Sequence, residues 1–281
     1  MNWLENLLVK LNAQMPLVTP YGWFHLLCLG IIIIGCVLLG VFAKKLSDKQ
    51  NKILLITFGL ILIIFEIYKQ LLYSYFPSSG EWSYNWYFFP FQFCSVPMYL
   101  MLISGIVPKG KFQNMLNAFL ATYGLLAGLL VMLSPGDVFG TTIGMNIQTV
   151  VWHGSMVMVG VYLLASGRIE LKHKTIFKAL YVFLVCIVIA QIFNLVDKNL
   201  NMFLISPYNG CNLPVLSTIF KNCPYLIFLL IYILAFSLGA YIVLLFAMMI
   251  KLIKNKTMQR KNSMEMLAKR QTDKNRNANK K

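Results

Sequence analysis

Charged residues are scarce in this sequence, and their scarcity excludes most classes of soluble protein. Only 12% of the 281 residues are charged and only nine are acidic, whereas 58% are hydrophobic. Before Lys251 no polar stretch is long enough to enclose a core of its own, so no soluble domain can be divided from the rest. Long apolar runs recur throughout, and this composition is typical of a polytopic membrane protein.

The sequence also lacks the motifs of several enzyme classes. It has three scattered histidines and no paired ligand spacing, so we predict no metal site and no cofactor. It has neither a phosphate-binding glycine loop nor the G-x-S-x-G motif of a serine hydrolase. The net charge of +16 does not indicate a nucleic-acid partner, because eleven of the 25 basic residues lie in the last 31 residues.

Seven apolar runs predict an all-α bundle of seven transmembrane helices. Each is long enough to cross the hydrocarbon core, and the first is too long for the hydrophobic region of a signal peptide. The predicted spans are residues 21–43, 53–75, 89–107, 112–134, 146–166, 175–196 and 222–250. The chain then has three regions: a short interfacial amphipathic helix in 1–20, a transmembrane domain in 21–250, and a basic, disordered tail in 251–281.

The basic residues of the short loops predict the orientation of the bundle. They cluster after the first, third and fifth spans and in the tail, whereas the other side holds little more than Lys10, Lys198 and Lys221. Cytoplasmic loops carry the excess of Lys and Arg, so we predict an N-terminus outside and a cytoplasmic C-terminus. The composition resembles that of an A/T-rich bacterial genome, which predicts a bacterial plasma membrane. The tail would either bind anionic lipid or serve only as a topology anchor.

Polar side chains gather in the outer halves of the predicted spans. Because such side chains are costly in lipid, a functional site is expected where they gather. Cys94 follows an aromatic stretch at 82–88, which is typical of the headgroup region, and we expect it in the first turn and a half of a helix that begins near Phe91. His153 enters the bundle from the same side on the fifth span. The other candidates are His25, Glu66, Gln92, Asp137, Gln148 and Asn201.

Each of these candidates has a structural alternative. Cys94 is small, and its structural alternative is a packing role inside the bundle. The structural alternative for His25 is a position at the membrane–water interface. Glu66 can pair with Lys69, one helical turn along, and would then be structural. A long apolar outer loop at 197–224 is expected to dip into the bundle or cap it, and a disulfide between its Cys211 and Cys223 is left open.

A cysteine and a histidine at similar depth on different helices suit acyl transfer. The histidine would take the thiol proton, the thiolate would attack an ester carbonyl, and the thioester would pass its acyl group to a second acceptor. Gln92, Asp137 or Glu66 would orient these groups. A cavity lined by the same polar residues in the outer half of the bundle would serve equally well in a carrier or receptor that binds a small ligand without covalent chemistry. Only the enzyme requires a thiol, so replacing Cys94 by serine separates the two hypotheses.

Four short motifs then suggest a family. They are FPFQFCS at 89–95, SPGD at 134–137, WHG at 152–154 and NMFL at 201–204. In these motifs and their order the chain resembles the YwaF-type integral membrane proteins, bacterial relatives of animal transmembrane protein 164, a phospholipid acyltransferase. The resemblance implies membrane phospholipids as substrates, Cys94 as nucleophile and His153 as base. Bacterial relatives commonly have a histidine two residues before the cysteine, whereas this chain has Gln92, which cannot act as a general base.

Overall fold

The chain folds into a bundle of apolar helices with a small hairpin at one end. The computed structural model describes residues 2–136 and 138–278, with side chains to residue 266. The helices within these residues are α1 Trp3–Leu11, α2 Trp23–Phe42, α3 Asp48–Ser74, α4 Val96–Ile106, α5 Lys111–Phe119, α6 Leu125–Leu133, α7 Ile143–Ser166, α8 Thr175–Val196, α9 Leu216–Asn222 and α10 Tyr225–Ala278. Strands β1 Tyr75–Phe76 and β2 Glu81–Trp82 pair antiparallel after α3.

Six segments of the described chain are long and apolar enough to cross a membrane. They are α2 with its 3₁₀ extension, α3, the continuous run Lys111–Leu133, α7, α8 and the first part of α10. These segments agree with six of the seven predicted spans. The run Lys111–Leu133 joins α5 to α6 through a π-helical segment at Leu120–Gly124.

The third predicted span differs from its prediction. Its helix, α4, has 11 residues and rises only about 16 Å, roughly half the hydrocarbon thickness. The expectation of a helix from Phe91 is wrong, because α4 begins at Val96 and Cys94 lies in the turn before it. Proline has no N–H to donate, so Pro97 is tolerated in a first helical turn but would interrupt a helix that began six residues earlier.

The two ends of the bundle differ in chemistry. At one end, which we call the α1 end, a capping box of Asn2 and Glu5 begins α1. Tyr68 of α3 donates its hydroxyl to the carbonyl of Leu11 at 3.1 Å and so fixes α1 to the bundle. At the opposite, basic end, the Arg168 guanidinium after α7 bonds the Asp48 carboxylate at the start of α3 at 2.6 Å.

Close helix contacts depend on glycine where α6 meets α7. A Cβ on Gly128 would lie 2.8 Å from the carbonyl oxygen of His153, and one on Gly160 would lie 2.6 Å from the Leu125 Cβ. Only a glycine permits these two approaches, whereas a Cβ on Gly124 would meet its nearest atoms at an ordinary 3.7 Å.

The C-terminal segment differs from the predicted disordered tail. α10 continues as one helix to Ala278, and its side chains are exposed from residue 251 to residue 266. Lys, Arg, Gln, Glu and Met are all good helix formers, and Lys261 lies 4.0 Å from Glu265 one turn later. Helix propensity therefore extends the last span beyond the apolar region.

Candidate active site

Cys94 lies in a non-helical segment, residues 89–95, that enters the bundle at the α1 end. Unpaired backbone groups are costly at membrane depth, so such a segment needs partners inside the protein. Two side chains donate to carbonyls of the segment, Tyr99 to Pro90 and Trp152 to Cys94, both at 2.8 Å, and Gln70 donates to the carbonyl of the preceding residue, Phe88, at 2.6 Å. The thiol-bearing residue is thus fixed by its own backbone and remains partly exposed.

His153 follows Trp152 on α7 and is 8% exposed. Its Nδ1 lies 2.9 Å from the carbonyl oxygen of Thr149 in the preceding turn. A carbonyl can only accept, so this contact puts the ring proton on Nδ1 and leaves Nε2 as a proton acceptor. The neutral imidazole therefore has the tautomer that a general base requires.

An ion pair lies beside these two residues. Lys69 bonds Glu66 at 2.8 Å, as the sequence allowed, and its ammonium lies 5.7 Å from the centre of the Trp152 ring. The same ammonium is within electrostatic range of the Cys94 thiol and the His153 imidazole. Lys69 therefore links α3 to α7 through Trp152.

One carboxylate oxygen of this ion pair is unsatisfied. Glu66 Oε1 accepts from Lys69 and, at 2.6 Å, from Gln70, but Oε2 is buried without a hydrogen-bond partner among the described residues. A buried carboxylate oxygen without a donor is costly. This is the position at which a polar group of a bound molecule would gain a partner.

Gln92 braces a second non-helical segment instead of facing an open site. Its Nε2 donates to the carbonyl of Asn201 at 3.0 Å, and its Oε1 accepts from the N–H of Phe203 at 3.0 Å. Asn194 bonds both backbone groups of Met202, which lies between Asn201 and Phe203. It accepts from the Met202 N–H at 2.6 Å and donates to the Met202 carbonyl at 3.1 Å. Phe203 and Leu204 have φ of 60° and 57°, a region that favours glycine, so the loop needs this bracing.

The braced loop confirms the prediction that the connection between the last two spans dips into the bundle. Met202 and Ile205 are fully buried and Phe203 is 1% exposed. Tyr232 of α10 donates its hydroxyl to the Phe203 carbonyl at 2.9 Å. Cys211 and Cys223 are free thiols, so the disulfide that the sequence left open is not formed.

The remaining candidates lie apart from Cys94 or serve the backbone. His25 accepts from the N–H of Tyr21 at Nδ1 and lies 2.9 Å from the Met132 carbonyl at Nε2, so both ring nitrogens are used. Asn201 holds its own loop through Gly210 and Ser206. Gln148 is buried on α7, one turn before Trp152. Asp137 lies outside the described residues.

Sequence reasoning missed the groups that hold the segment of Cys94. Gln70 lies beside Lys69 and one turn after Glu66, and these neighbours were a signal, whereas Tyr99 had little signal in the mainly apolar α4. Trp152 stood beside His153 in the WHG motif, which could have drawn attention to it. In the described part of the chain no cluster of three or more His, Cys, Asp or Glu is arranged to hold a metal.

Comparison with known proteins gives one family. No curated protein and no solved structure matches the chain. The model of the TMEM164 family matches residues 20–252, which include Cys94, His153 and all the candidate residues above. The match covers most of the chain and all six segments that can cross a membrane, and the chain therefore belongs to the TMEM164 family of integral membrane proteins.

Proposed function

We propose that this protein is a membrane acyltransferase that moves a fatty acyl chain between phospholipids through a thioester on Cys94. The observation that carries the proposal is the hydrogen bond from Trp152 to the carbonyl of Cys94, because Trp152 is the neighbour of His153. That bond holds the half-buried residue Cys94 against the helix that carries a buried imidazole of the correct tautomer.

The first half-reaction forms the thioester. His153 Nε2 takes the proton from the Cys94 thiol, and the thiolate attacks the ester carbonyl carbon of a donor phospholipid. The C–O bond then breaks, and the departing lysophospholipid oxygen takes the proton back from His153. The positive end of α4, which begins two residues after Cys94, favours the thiolate.

The second half-reaction returns the enzyme to its starting state. The hydroxyl of an acceptor lysophospholipid loses its proton to His153 and attacks the thioester carbonyl. The C–S bond breaks, the thiolate leaves, and it recovers the proton from His153. No oxidant, metal or other cofactor takes part, since every proton and bond is balanced within the two steps. Glu66 and Lys69 orient the polar part of the lipid beside the thiol.

The topology belongs to the same proposal. The non-helical residues 89–95 and α4 together complete a seventh crossing, with the irregular part buried in protein as membrane backbone requires. The excess of basic residues at the Arg168 end puts that end in the cytoplasm, so the N-terminus and Cys94 lie toward the outer face of a bacterial plasma membrane.

Intact-mass analysis of the purified protein tests the chemistry. The wild-type chain, incubated with phospholipid, should gain the mass of an acyl group, and hydroxylamine, which cleaves thioesters, should remove it. Cys94→Ser should gain none, whereas Cys223→Ser, which removes another partly exposed thiol, should behave as wild type. His153→Gln should form the adduct about 10²- to 10⁴-fold more slowly, the usual effect of losing a general base.

The proposal has a clear opposing result. An absence of adduct in the wild-type chain across several phospholipid donors contradicts covalent transfer and favours a carrier or receptor. An adduct that persists in Cys94→Ser assigns the wrong nucleophile.

A further inference from the structure

A large cavity lies at the basic end of the bundle, and neither Cys94 nor His153 lines it. Its volume is about 1190 Å³, which exceeds that of an ordinary small-molecule pocket. Leu125 and Leu129 of α6 and Val161 and Leu164 of α7 form its floor, between residues 36–44 of α2 and its 3₁₀ extension and residues 243–258 of α10. The stretch of α10 alone extends about 22 Å along the helix axis. We call this cavity the basic-end groove.

The groove is open on the side that faces lipid. Val37 and Val41 on α2 are 58% and 60% exposed, and Phe246 and Ile250 on α10 are 58% and 66% exposed. These four residues line the groove and also belong to the outer surface of the bundle. An acyl chain can therefore enter sideways from the bilayer.

The polar end of the groove is positively charged. Lys44, Lys172, Lys251 and Lys254 line it, and Glu170 is the one acidic residue of its described lining. Glu170 pairs with Lys172 at 3.6 Å. No salt bridge engages the other three lysines within the described residues, so three positive charges face the groove without a counter-ion.

We propose that the basic-end groove binds an anionic phospholipid from the membrane leaflet at this end. The acyl chains lie along the apolar floor, and the headgroup phosphate lies among Lys44, Lys251 and Lys254. The apolar length and the charge at one end together match an amphipathic anion of the bilayer, whereas a soluble phosphate would leave the floor unoccupied. The site shares no residue with the proposed acyl-transfer site, so it goes beyond that function and stands without it.

Native mass spectrometry in detergent measures the headgroup preference. The full chain carrying Cys94→Ser, which prevents covalent transfer, is titrated with phosphatidylglycerol or with phosphatidylcholine of the same acyl chains. Each basic residue near an anionic lipid strengthens binding by roughly fivefold, so the chain should bind phosphatidylglycerol more tightly by at least about tenfold. Replacing Lys44, Lys251 and Lys254 by Gln should remove this preference.

A matched triple variant tests whether the position of the charges matters. Lys45 and Lys256 lie within two residues of Lys44 and Lys254, Lys261 lies seven residues beyond Lys254, and none of the three lines the groove. Replacing these three by Gln removes the same charge and should leave the preference unchanged. An equal loss of preference in both triple variants contradicts the proposal, because a diffuse basic surface would then explain the binding.

A glycine pair tests the apolar part of the groove. Gly40 lines the groove, and a Cβ there meets no atom within 4 Å. Gly40→Phe should fill the apolar part of the groove from its α2 side and lower the occupancy by both lipids severalfold. Gly30 on the same helix has equally open surroundings but lies outside the groove, so Gly30→Phe should have no effect. Unchanged binding by Gly40→Phe overturns the proposal.

Discussion

The indole N–H of Trp152 donates to the backbone carbonyl of Cys94 across 2.8 Å, although the two residues are 58 positions apart in the chain. This bond joins the turn before α4 to α7, the helix of His153. Because it holds backbone, it fixes the position of the cysteine while leaving the thiol free to react. We infer that Trp152 is a positioning residue of the proposed acyl transfer.

Trp152→Phe should keep an aromatic ring and lose the bond. The thermal midpoint in detergent should fall, because the buried ring becomes smaller and the Cys94 carbonyl loses its donor, at about 1–3 kcal/mol for that carbonyl. Acyl-adduct formation should slow by roughly tenfold to a hundredfold, because small misplacements of a reacting group are costly. Trp86→Phe, at a 53% exposed aromatic, is the control. Equal rates of adduct formation in wild type and Trp152→Phe would contradict the positioning role of Trp152.

Gln92→Ala should destabilise the loop that follows α8. It leaves the buried N–H of Phe203 and the carbonyl of Asn201 without partners, at about 1–3 kcal/mol for each group. The thermal midpoint should fall clearly, whereas Gln14→Ala, at an exposed glutamine, should leave it unchanged. An unchanged midpoint with slower adduct formation would instead assign Gln92 to substrate orientation.

His25→Ala should affect stability and not chemistry. The imidazole is fully buried and uses both nitrogens to tie the start of α2 to the end of α6, so its loss should lower the thermal midpoint. The folded fraction should form the acyl adduct at close to the wild-type rate. His173→Ala, at an exposed histidine, is the matched control for stability. A folded His25→Ala protein without adduct formation would show that His25 takes part in the reaction.

Arg168→Gln should destabilise the basic end of the bundle and lower the free energy of unfolding. The guanidinium bonds the Asp48 carboxylate, the Tyr162 hydroxyl and the carbonyl oxygens of Leu46 and Ser47. Burial works against its charge, but the hydrogen bonds to Asp48 and Tyr162 outweigh burial and hold the pKa of Arg168 above its usual value. Its loss should therefore cost about 1.5–3 kcal/mol of unfolding free energy.

Lys109→Gln provides the comparison for Arg168. Lys109 also pairs with Asp48, at 3.1 Å, but its side chain is 74% exposed. Surface pairs of this kind contribute about 0–1 kcal/mol, so this variant should unfold close to the wild-type temperature. Similar midpoints for the two variants would contradict a special role for the guanidinium.

Features that depend on neighbours along the chain were predictable. Hydropathy over a window of about 20 residues identified six segments that the structure has as long apolar helices. The pairing of Glu66 with Lys69 followed from their spacing on one helix, and the burial of Met202, Phe203 and Ile205 in the outer loop followed from its apolar composition. In each case the signal lies within one segment of the chain.

The start of α4 was predicted wrongly because the sequence has two prolines that are each suited to the first turn of this helix. Pro90 and Pro97 each suit a first helical turn, and sequence alone does not choose between them. The choice belongs to the tertiary structure, because Gln70, Tyr99 and Trp152 stabilise carbonyls in, or directly before, the non-helical segment that precedes Pro97. Without these donors from α3, α4 and α7, that segment would be costly at membrane depth.

The sequence by itself determined that this chain is a helical membrane protein with polar residues toward one end and basic residues at the other. Only the tertiary structure decided that Gln92 holds a loop 109 residues away, that Cys94 is bonded to the neighbour of His153, and that Lys44 after α2 and two lysines of α10 line one groove. The physical reason is that hydropathy depends on a residue's own chemistry and its local window. Contacts between helices depend on the depth and rotation of each helix, and these are set by packing of the whole bundle.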